Sequence, residues 1–269
     1  MFQSANQFFQ LEHPVLAPAR LFPALLQDGR DFACMLVLPG GGYSHVSHQE
    51  GPPVAAWLNS IGISAVVLEY SVSSDSAKGI YPLPQLQALF TLRFLRAQAT
   101  ALNIDPHRIG VIGFSAGGHL AASCSQAFDH PDYLLDPDAS LAGVSARPDA
   151  SILCYPVISA GPHGHVDSFE CLLGRASTPS QRSALSWEHR IHPNSPPSFL
   201  WHTAEDAAVP VENSYLYAMA LQQARIPHAL HVFPQGAHGL GLCSLADRRQ
   251  QQTMQWRALA ERWLLNLGF

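Results

Sequence analysis

One serine lies in surroundings that could support covalent chemistry. Gly113-Phe114-Ser115-Ala116-Gly117 follows the apolar run Ile109–Gly113 and opens a stretch of small residues typical of a helix. A G-x-S-x-G sequence between a strand and a helix is the pattern of a nucleophile elbow, which exposes the serine oxygen on a sharp turn. Such pentapeptides also occur by chance in loops rich in glycine and serine, but the strand–helix context argues against that here. We therefore predict that Ser115 is a nucleophile.

A serine nucleophile needs a base, and the base needs an orienting acid. Glu205 and Asp206 follow the apolar run Phe199–Thr203, and His238 follows the run Ala229–Phe233. Serine, acid and histidine thus occur in the chain order expected for this type of elbow. Both loops follow strand C-terminal ends, where the active-site loops of open α/β sheets gather. The pattern predicts His238 as the base and leaves open which of the two adjacent acids orients it.

A glycine-rich loop could supply donors for a developing negative charge. Pro39-Gly40-Gly41-Gly42-Tyr43 follows the apolar run Phe32–Leu38. Three successive glycines allow backbone N–H groups to turn toward a ligand, although a flexible turn would have the same composition. We predict an oxyanion hole formed by Gly41 or Gly42 together with the N–H of Ala116. Tyr43 and Tyr155 are candidates to line the substrate pocket, with simple packing as the alternative.

Three polar residues near these motifs have plainer interpretations. His119 directly follows the elbow glycines, and we expect a structural hydrogen-bonding residue rather than a second base. His202 lies within a predicted strand and is expected to be a core histidine with satisfied hydrogen bonds. Glu50 precedes Gly51-Pro52 near the glycine loop. It either orders that loop or is an acid at a helix N-terminus, and the second interpretation is the simpler one.

The elements that must position these residues alternate along the chain. Short apolar runs separated by helical patterns are typical of a mostly parallel central sheet with helices on both faces. The predicted strands are Phe32–Leu38, Ser64–Glu69, Ile109–Gly113, Ala150–Cys154, Phe199–Thr203 and Ala229–Phe233. The predicted helices are Pro53–Ser60, Pro84–Leu102, Ala116–Phe128, Val211–Ala224 and Ala246–Leu267.

One segment does not follow the alternation. Ser159–Pro197 is rich in glycine, proline, serine and histidine, and it separates two predicted strands. Phe169 and Leu172 give it apolar side chains to bury, so we expect a small cap that shapes a pocket rather than a disordered surface loop. The length of 269 residues is within the range of a single α/β domain, and we predict one domain over residues 1–269.

Composition limits the class of partner. The chain contains 47% hydrophobic and 13% charged residues, and its formal net charge is −5. No cluster of Lys and Arg is present, so we expect no binding to nucleic acid or to anionic lipid. The N-terminus has no signal-peptide pattern, and no run reaches the ~18 apolar residues of a membrane span. We therefore expect a cytoplasmic protein that does not enter the membrane.

Cysteine and histidine spacing does not indicate a metal site. The five cysteines are scattered and form no C-x-x-C pair, which argues against a disulfide framework or a zinc site and fits a reducing compartment. The histidine pairs lack acid or cysteine partners at the spacing of a metal site. These pairs are His45/His48, His163/His165 and His189/His192. We predict no metal and no cofactor.

These motifs together resemble a known family, the bacterial α/β-hydrolases grouped with acetyl-xylan and feruloyl esterases, near the hormone-sensitive-lipase-like enzymes. The resemblance covers most of the chain, from about Ala33 to Gly241. Its matching segments are PGGGY (Pro39–Tyr43), EGPPVAAWLNSIGISAVVLEY (Glu50–Tyr70), RIGVIGFSAGGHLAA (Arg108–Ala122), PPSFLWHTAEDAAVPVENSYLYAMAL (Pro196–Leu221) and FPQGAHGLGL (Phe233–Leu242). Relatives usually carry a basic residue soon after the tyrosine of the third strand, whereas this chain has Tyr70-Ser71-Val72-Ser73.

The resemblance implies both a fold and an activity. It implies the α/β-hydrolase fold with a Ser115–His238–Asp206 triad, because the family's acid stands three residues before Val-Pro. It also implies a serine carboxylesterase that acts through an acyl-enzyme on short-chain acyl esters, with acetylated sugars as the candidate substrates. Two alternatives remain: a serine peptidase of the prolyl-oligopeptidase type, and a ligand-binding relative without catalysis. The sequence does not indicate an oligomeric state.

Overall fold

The computed structural model describes residues 9–11, 19–134, 141–244 and 246–269. Within these ranges the chain forms one eight-stranded sheet. The strands are β1 (Phe9–Leu11), β2 (Ala19–Ala24), β3 (Phe32–Leu38), β4 (Ser64–Glu69), β5 (Ile104–Phe114), β6 (Ser151–Cys154), β7 (Ser198–Thr203) and β8 (His228–Phe233). Their spatial order is β1-β2-β4-β3-β5-β6-β7-β8. Strand β2 runs antiparallel to β1 and β4, and all other neighbours are parallel.

Helices cover both faces of this sheet. They are α1 (Pro52–Ser60), α2 (Leu83–Ala97), α3 (Ala99–Leu102), α4 (Ala116–Gln126), α5 (Val166–Leu173), α6 (Pro179–Ser183), α7 (Glu212–Gln223) and α8 (Trp256–Asn266). One core layer contains buried residues of α2, α4 and α7, and the other contains buried residues of α1 and α8. The predicted fold class, an α/β-hydrolase fold with a mostly parallel sheet between helices, is confirmed.

Strand β3 shows why the apolar runs are continuous. Leu36 and Leu38 belong to one core layer, whereas Met35 and Val37 belong to the other. Successive side chains of a strand point to opposite faces, so a strand covered on both sides must be apolar at every position. All seven residues of β3 are buried. This strand therefore lies in the centre of the molecule, and the loop that follows it leaves from a fixed position.

The structure differs from the predicted elements in several places. Strand β5 begins at Ile104, five residues before the predicted start, because Ile104 pairs with Phe32 ahead of a bulge that contains residues 105–108. The predicted helix Pro84–Leu102 is divided at Gln98 into α2 and α3. The predicted C-terminal helix from Ala246 was too long, since α8 begins at Trp256 after two short 3₁₀ turns. Strands β1 and β2 were not predicted.

The segment between β6 and β7 folds into short elements that pack on the body of the domain. It contains α5, α6 and a 3₁₀ turn at Trp187–His189. Phe169, Leu172 and Trp187 are buried within the core layer that contains α4. The Asn213 side chain at the start of α7 accepts the amides of Ile158 and Ser159, at 2.9 and 3.0 Å, and so holds the root of the segment. The expected role of this segment in shaping a pocket stays a prediction.

All five cysteines lie in the described part of the chain. All five cysteines carry free thiols, and four of them are buried. Burial raises the pKa of the Cys34 and Cys124 thiols to about 12, so these groups stay protonated and act as small apolar side chains.

Among the described residues, no helix is long and apolar enough to cross a membrane.

Helix α8 offers a test of the core. Trp256 is fully buried and stacks on Trp201, with ring centroids 5.0 Å apart. We expect Trp256→Ala to lower the free energy of unfolding by about 3–5 kcal/mol, because it removes a large buried side chain and leaves a cavity. Leu265→Ala on the same helix is the matched control, since Leu265 is 61% exposed, and it should change stability by less than about 0.5 kcal/mol. Urea denaturation measures both, and equal midpoints would contradict the assigned packing.

Candidate active site

The serine of the elbow has a backbone conformation that its neighbours enforce. Ser115 lies between β5 and α4 with φ of 54° and ψ of −119°. A side chain is impossible at Gly117, since a Cβ atom there would lie 2.1 Å from the carbonyl oxygen of Leu38. Glycine thus lets helix α4 pack directly against the end of β3. The amide of Ser115 donates to the carbonyl of Cys154 at 3.0 Å, which ties the turn to β6.

Ser115, His238 and Asp206 form one hydrogen-bonded series. His238 Nε2 lies 2.7 Å from Ser115 Oγ, and His238 Nδ1 lies 2.6 Å from Asp206 Oδ2. An ionised carboxylate can only accept, so Nδ1 carries the proton and Nε2 accepts from the serine hydroxyl. This arrangement lets the imidazole receive the hydroxyl proton when Oγ attacks an electrophile.

Asp206 is held as a carboxylate by the groups around it. Its Oδ1 accepts the amides of Ala208 and Val209 at 3.0 and 2.9 Å, and its Oδ2 lies 3.3 Å from His202 Nε2. Burial raises the pKa of Asp206, but hydrogen bonds from His202 and His238 outweigh burial and hold the pKa well below its usual range. The acid therefore keeps its negative charge beside His238 throughout the neutral range.

The adjacent acid points elsewhere. Glu205 accepts hydrogen bonds from the amide of Gly236 at 3.1 Å and from Arg249 at 3.2 Å. Of the two acids that the sequence left open, the structure brings Asp206 to His238, as the family resemblance implied.

Hydrogen bonds hold the loop after β3 in a shape that leaves the amides of Gly41 and Gly42 without acceptors among the described residues. The carbonyl of Gly41 accepts the amides of Ser44 and His45 at 3.0 and 3.2 Å, which curls the loop. The Tyr70 hydroxyl donates to the carbonyl of Pro39 at 2.5 Å and holds the loop's first residue. Among the described residues, the amides of Gly41, Gly42 and Ala116 have no hydrogen-bond acceptor. These N–H groups are free to bind a ligand oxygen, and their role as an oxyanion hole stays a prediction.

Comparison with solved structures identifies the family. The acetyl ester-xyloside bifunctional hydrolase from Caldicellulosiruptor lactoaceticus is 42% identical to this chain, with a TM-score of 0.89. The match covers 98% of this chain and 97% of that one. The chain belongs to the α/β-hydrolase family of carboxylic ester hydrolases. The carboxylesterase Cest-2923 from Lactobacillus plantarum WCFS1 is a second structural relative of this family, at 29% identity and a TM-score of 0.80, covering 97% and 98% of the two chains.

Curated relatives and family models also match this chain. Endo-1,4-beta-xylanase B of Butyrivibrio fibrisolvens is 40% identical over 82% of this chain and 34% of its own length. Acetylxylan esterase of Xylanibacter ruminicola is 31% identical over 76% of this chain and 40% of its own length. The chain thus spans well under half the length of these two relatives. The BD-FAE family model matches residues 23–145, and the prolyl oligopeptidase family model matches residues 174–264.

His119 and His202 make structural hydrogen bonds, as predicted. His119 Nε2 donates to the carbonyl of Leu185 at 2.9 Å, so Nδ1 accepts the Tyr43 hydroxyl at 2.8 Å. Burial lowers the pKa of His119 to about 4, which keeps the ring neutral. His202 is a satisfied core histidine, with Ser214 Oγ 2.8 Å from Nδ1 and the Val209 carbonyl 2.9 Å from Nε2. Its additional contact with Asp206 was missed, because the turn after β7 that brings the two side chains together leaves no periodic pattern in the sequence.

The two tyrosines proposed for the pocket are both buried. Tyr43 lines a narrow crevice between the glycine loop and the segment after β6, which has no room for a water molecule. The other lining residues are His119, Val157, Ser168, Phe169 and Leu172. Tyr155 lies at the end of β6, and its ring centroid is 5.1 Å from that of His238. Contact with substrate stays a prediction for both residues.

Glu50 orders the glycine loop, which was the interpretation the sequence did not favour. It lies in a 3₁₀ turn before α1 and is only 2% exposed. Its carboxylate accepts the amide of Gly40 at 2.9 Å and the hydroxyl of Tyr155 at 2.6 Å. Both carboxylate oxygens are therefore engaged by neighbouring loops, so Glu50 orders the glycine loop and also stands two residues before α1.

The paired histidines make local contacts. His45 Nδ1 lies 3.0 Å from Ser44 Oγ, and His165 Nδ1 lies 2.8 Å from Ser168 Oγ. In the part of the chain that the structure describes, no group of three or more His, Cys, Asp or Glu side chains is placed to hold a metal ion.

The adjacent acids provide a matched pair of variants. We expect Asp206→Asn to lower kcat by about 10⁴-fold, because the amide can no longer hold the His238 tautomer that accepts the serine proton. Glu205→Gln should leave kcat within about threefold, since Glu205 contacts Gly236 and Arg249 instead. Hydrolysis of p-nitrophenyl acetate measures both, and a larger loss in the Glu205 variant would show that the acid is misassigned.

Proposed function

We propose that this chain is a serine carboxylesterase that hydrolyses short-chain acyl esters, acetyl esters of carbohydrates in particular, through an acyl-enzyme. The observation that carries the proposal is the hydrogen-bonded series from Ser115 Oγ through His238 to the buried Asp206. The amides of Gly41 and Gly42, which have no acceptor in the part of the chain that the structure describes, lie in the neighbouring loop and support the same chemistry. No cofactor takes part in the mechanism.

Acylation follows from the proton positions. Ser115 Oγ attacks the ester carbonyl carbon while His238 Nε2 takes the hydroxyl proton. The imidazolium that forms is stabilised by the Asp206 carboxylate. The carbonyl oxygen becomes an oxyanion, and the amides of Gly41 or Gly42 and of Ala116 are the proposed donors to it. Collapse of the tetrahedral intermediate breaks the ester bond, and His238 returns the proton to the leaving alcohol.

Deacylation uses the same groups with water in place of the alcohol. His238 takes a proton from water, whose oxygen attacks the acyl carbon. The second tetrahedral intermediate releases the carboxylic acid and returns the proton to Ser115 Oγ.

The crevice next to the glycine loop argues against a long acyl group. It is too narrow to admit even a water molecule in this structure. A long acyl chain gains ~0.8 kcal/mol for each buried methylene, and this gain needs apolar surface that such a crevice does not offer. Two relatives support an acetylated carbohydrate by analogy, since one is an acetyl ester-xyloside hydrolase and the other an acetylxylan esterase.

A serine peptidase is the second candidate, because residues 174–264 match the prolyl oligopeptidase family model. The triad geometry suits either an ester or an amide. Assay of a prolyl p-nitroanilide peptide beside p-nitrophenyl acetate separates the two candidates, and we expect hydrolysis of the ester only.

Loss of the nucleophile is the most direct test. We expect Ser115→Ala to lower kcat for p-nitrophenyl acetate by about 10⁴-fold or more, because within the described ranges no other hydroxyl is bonded to His238 Nε2. Ser123→Ala on the same helix is the control, since that buried hydroxyl donates to the carbonyl of Leu120 and should leave kcat unchanged. A Ser115 variant that keeps activity within about tenfold of wild type, with an unchanged circular dichroism spectrum, would refute the serine mechanism.

Substrate preference needs its own measurement. We expect kcat/KM to fall from p-nitrophenyl acetate through butyrate to octanoate, because the crevice is small. Release of acetate from acetylated xylo-oligosaccharides tests the carbohydrate. A preference for octanoate, with no acetate released from any acetylated sugar, would contradict the carbohydrate assignment and leave a general carboxylesterase.

A further inference from the structure

A buried acid and a buried phenol link two loops of the site. Glu50 is held by neutral donors, the amide of Gly40 through Oε2 and the hydroxyl of Tyr155 through Oε1. Burial of a carboxylate is costly unless its oxygens accept hydrogen bonds. These two contacts therefore determine where the Glu50 carboxylate lies, and the carboxylate in turn determines where Gly40 and Tyr155 lie.

Tyr155 continues the link toward the base. Its hydroxyl donates to Glu50 and accepts the amide of Gly241 at 2.8 Å. Gly241 is three residues after His238, and the Tyr155 ring packs against the His238 ring at an interplanar angle of 72°. Burial raises the pKa of Tyr155 well above its usual value, so the hydroxyl keeps the proton that it donates.

Gly40, the first residue of this link, lies against the proposed nucleophile Ser115. A Cβ atom at Gly40 would lie 2.7 Å from Glu50 Oε2 and 3.0 Å from the Cβ of Ser115. The loop that carries Gly41 and Gly42 thus passes directly beside the elbow, at a position that the Glu50 carboxylate holds.

We propose that Glu50 and Tyr155 are positioning residues that fix the oxyanion loop relative to His238 through the series Gly40 N–H, Glu50, Tyr155 and Gly241 N–H. Three hydrogen bonds of 2.9, 2.6 and 2.8 Å make this bridge, and both side chains that form it are buried. The inference rests on the proposed esterase function, because it assigns a purpose to the separation between oxyanion donors and base.

Catalysis is sensitive to this separation. Donors stabilise an oxyanion only when they lie about 2.7–3.1 Å from its position. A displacement of about 1 Å at a reacting group can cost ~100-fold in rate. Loosening the bridge should therefore weaken transition-state stabilisation while ester binding stays nearly unchanged, which lowers kcat and leaves KM in place.

The test compares Glu50→Gln, Tyr155→Phe and their double variant in the full chain. Each single change should lower kcat for p-nitrophenyl acetate by about 10- to 100-fold, with KM within about threefold. The double variant should be no more than about threefold worse than the poorer single variant, because both changes break the same bridge. Tyr217→Phe is the matched control: this buried hydroxyl accepts from Gln126 in another part of the core, and its loss should leave kcat within about twofold.

Thermal unfolding of all four variants separates positioning from loss of structure. If Glu50→Gln does not fold, Tyr155→Phe alone tests the bridge, because it removes one oxygen and keeps the ring against His238. A folded Tyr155→Phe variant with wild-type kcat, or a loss of kcat matched by Tyr217→Phe at equal Tm, would overturn the inference. That result differs from failure of the proposed function, in which wild-type protein does not cleave the ester or does not need Ser115.

Discussion

Ser115 has a positive φ angle, and this conformation depends on the packing of three strands. A non-glycine residue adopts such a conformation only where its surroundings enforce it. The amide of Ser115 donates to the end of β6, and its carbonyl accepts the amide of Val157 at 3.0 Å. Gly117 brings α4 against the carbonyl of Leu38 at the end of β3. The sheet, rather than a flexible loop, therefore determines where the serine oxygen points, and the base and glycine loop are arranged around that point.

Strand burial explains which elements could be predicted from the sequence. Strands β3 and β4 have the bounds that the apolar runs indicated, because both lie in the sheet interior between helices. Strand β2 was missed because Arg20 and Pro23 interrupt its apolar pattern and half of its residues are partly exposed. It lies near the edge of the sheet, next to β1, where one face carries less of the core. Helix α8 has no capping side chain at its start, and the predicted start at Ala246 is therefore ten residues too early.

Some residues of the candidate site could be predicted from local sequence patterns, and others could not. Ser115 and His238 lie in short local patterns whose strand context was visible, whereas the choice of Asp206 over Glu205 came from family resemblance. Glu50 could not be assigned from the sequence, because its partner Tyr155 is 105 residues away and buried contacts between distant segments leave no local pattern. The triad residues come together because Asp206 follows β7 and His238 follows β8, and these strands pair in parallel register.

The segment between β6 and β7 has a consequence for how such enzymes diversify. It leaves the sheet after Cys154 and returns at Ser198, where β7 pairs with β6 in continuous register. The residues proposed for acid–base chemistry and for oxyanion binding lie outside residues 159–197. The proposed chemistry is thus encoded in stretches of the gene separate from this segment, so insertions, deletions or exchange within it can change the surroundings of the site in evolution while the inherited chemistry is retained.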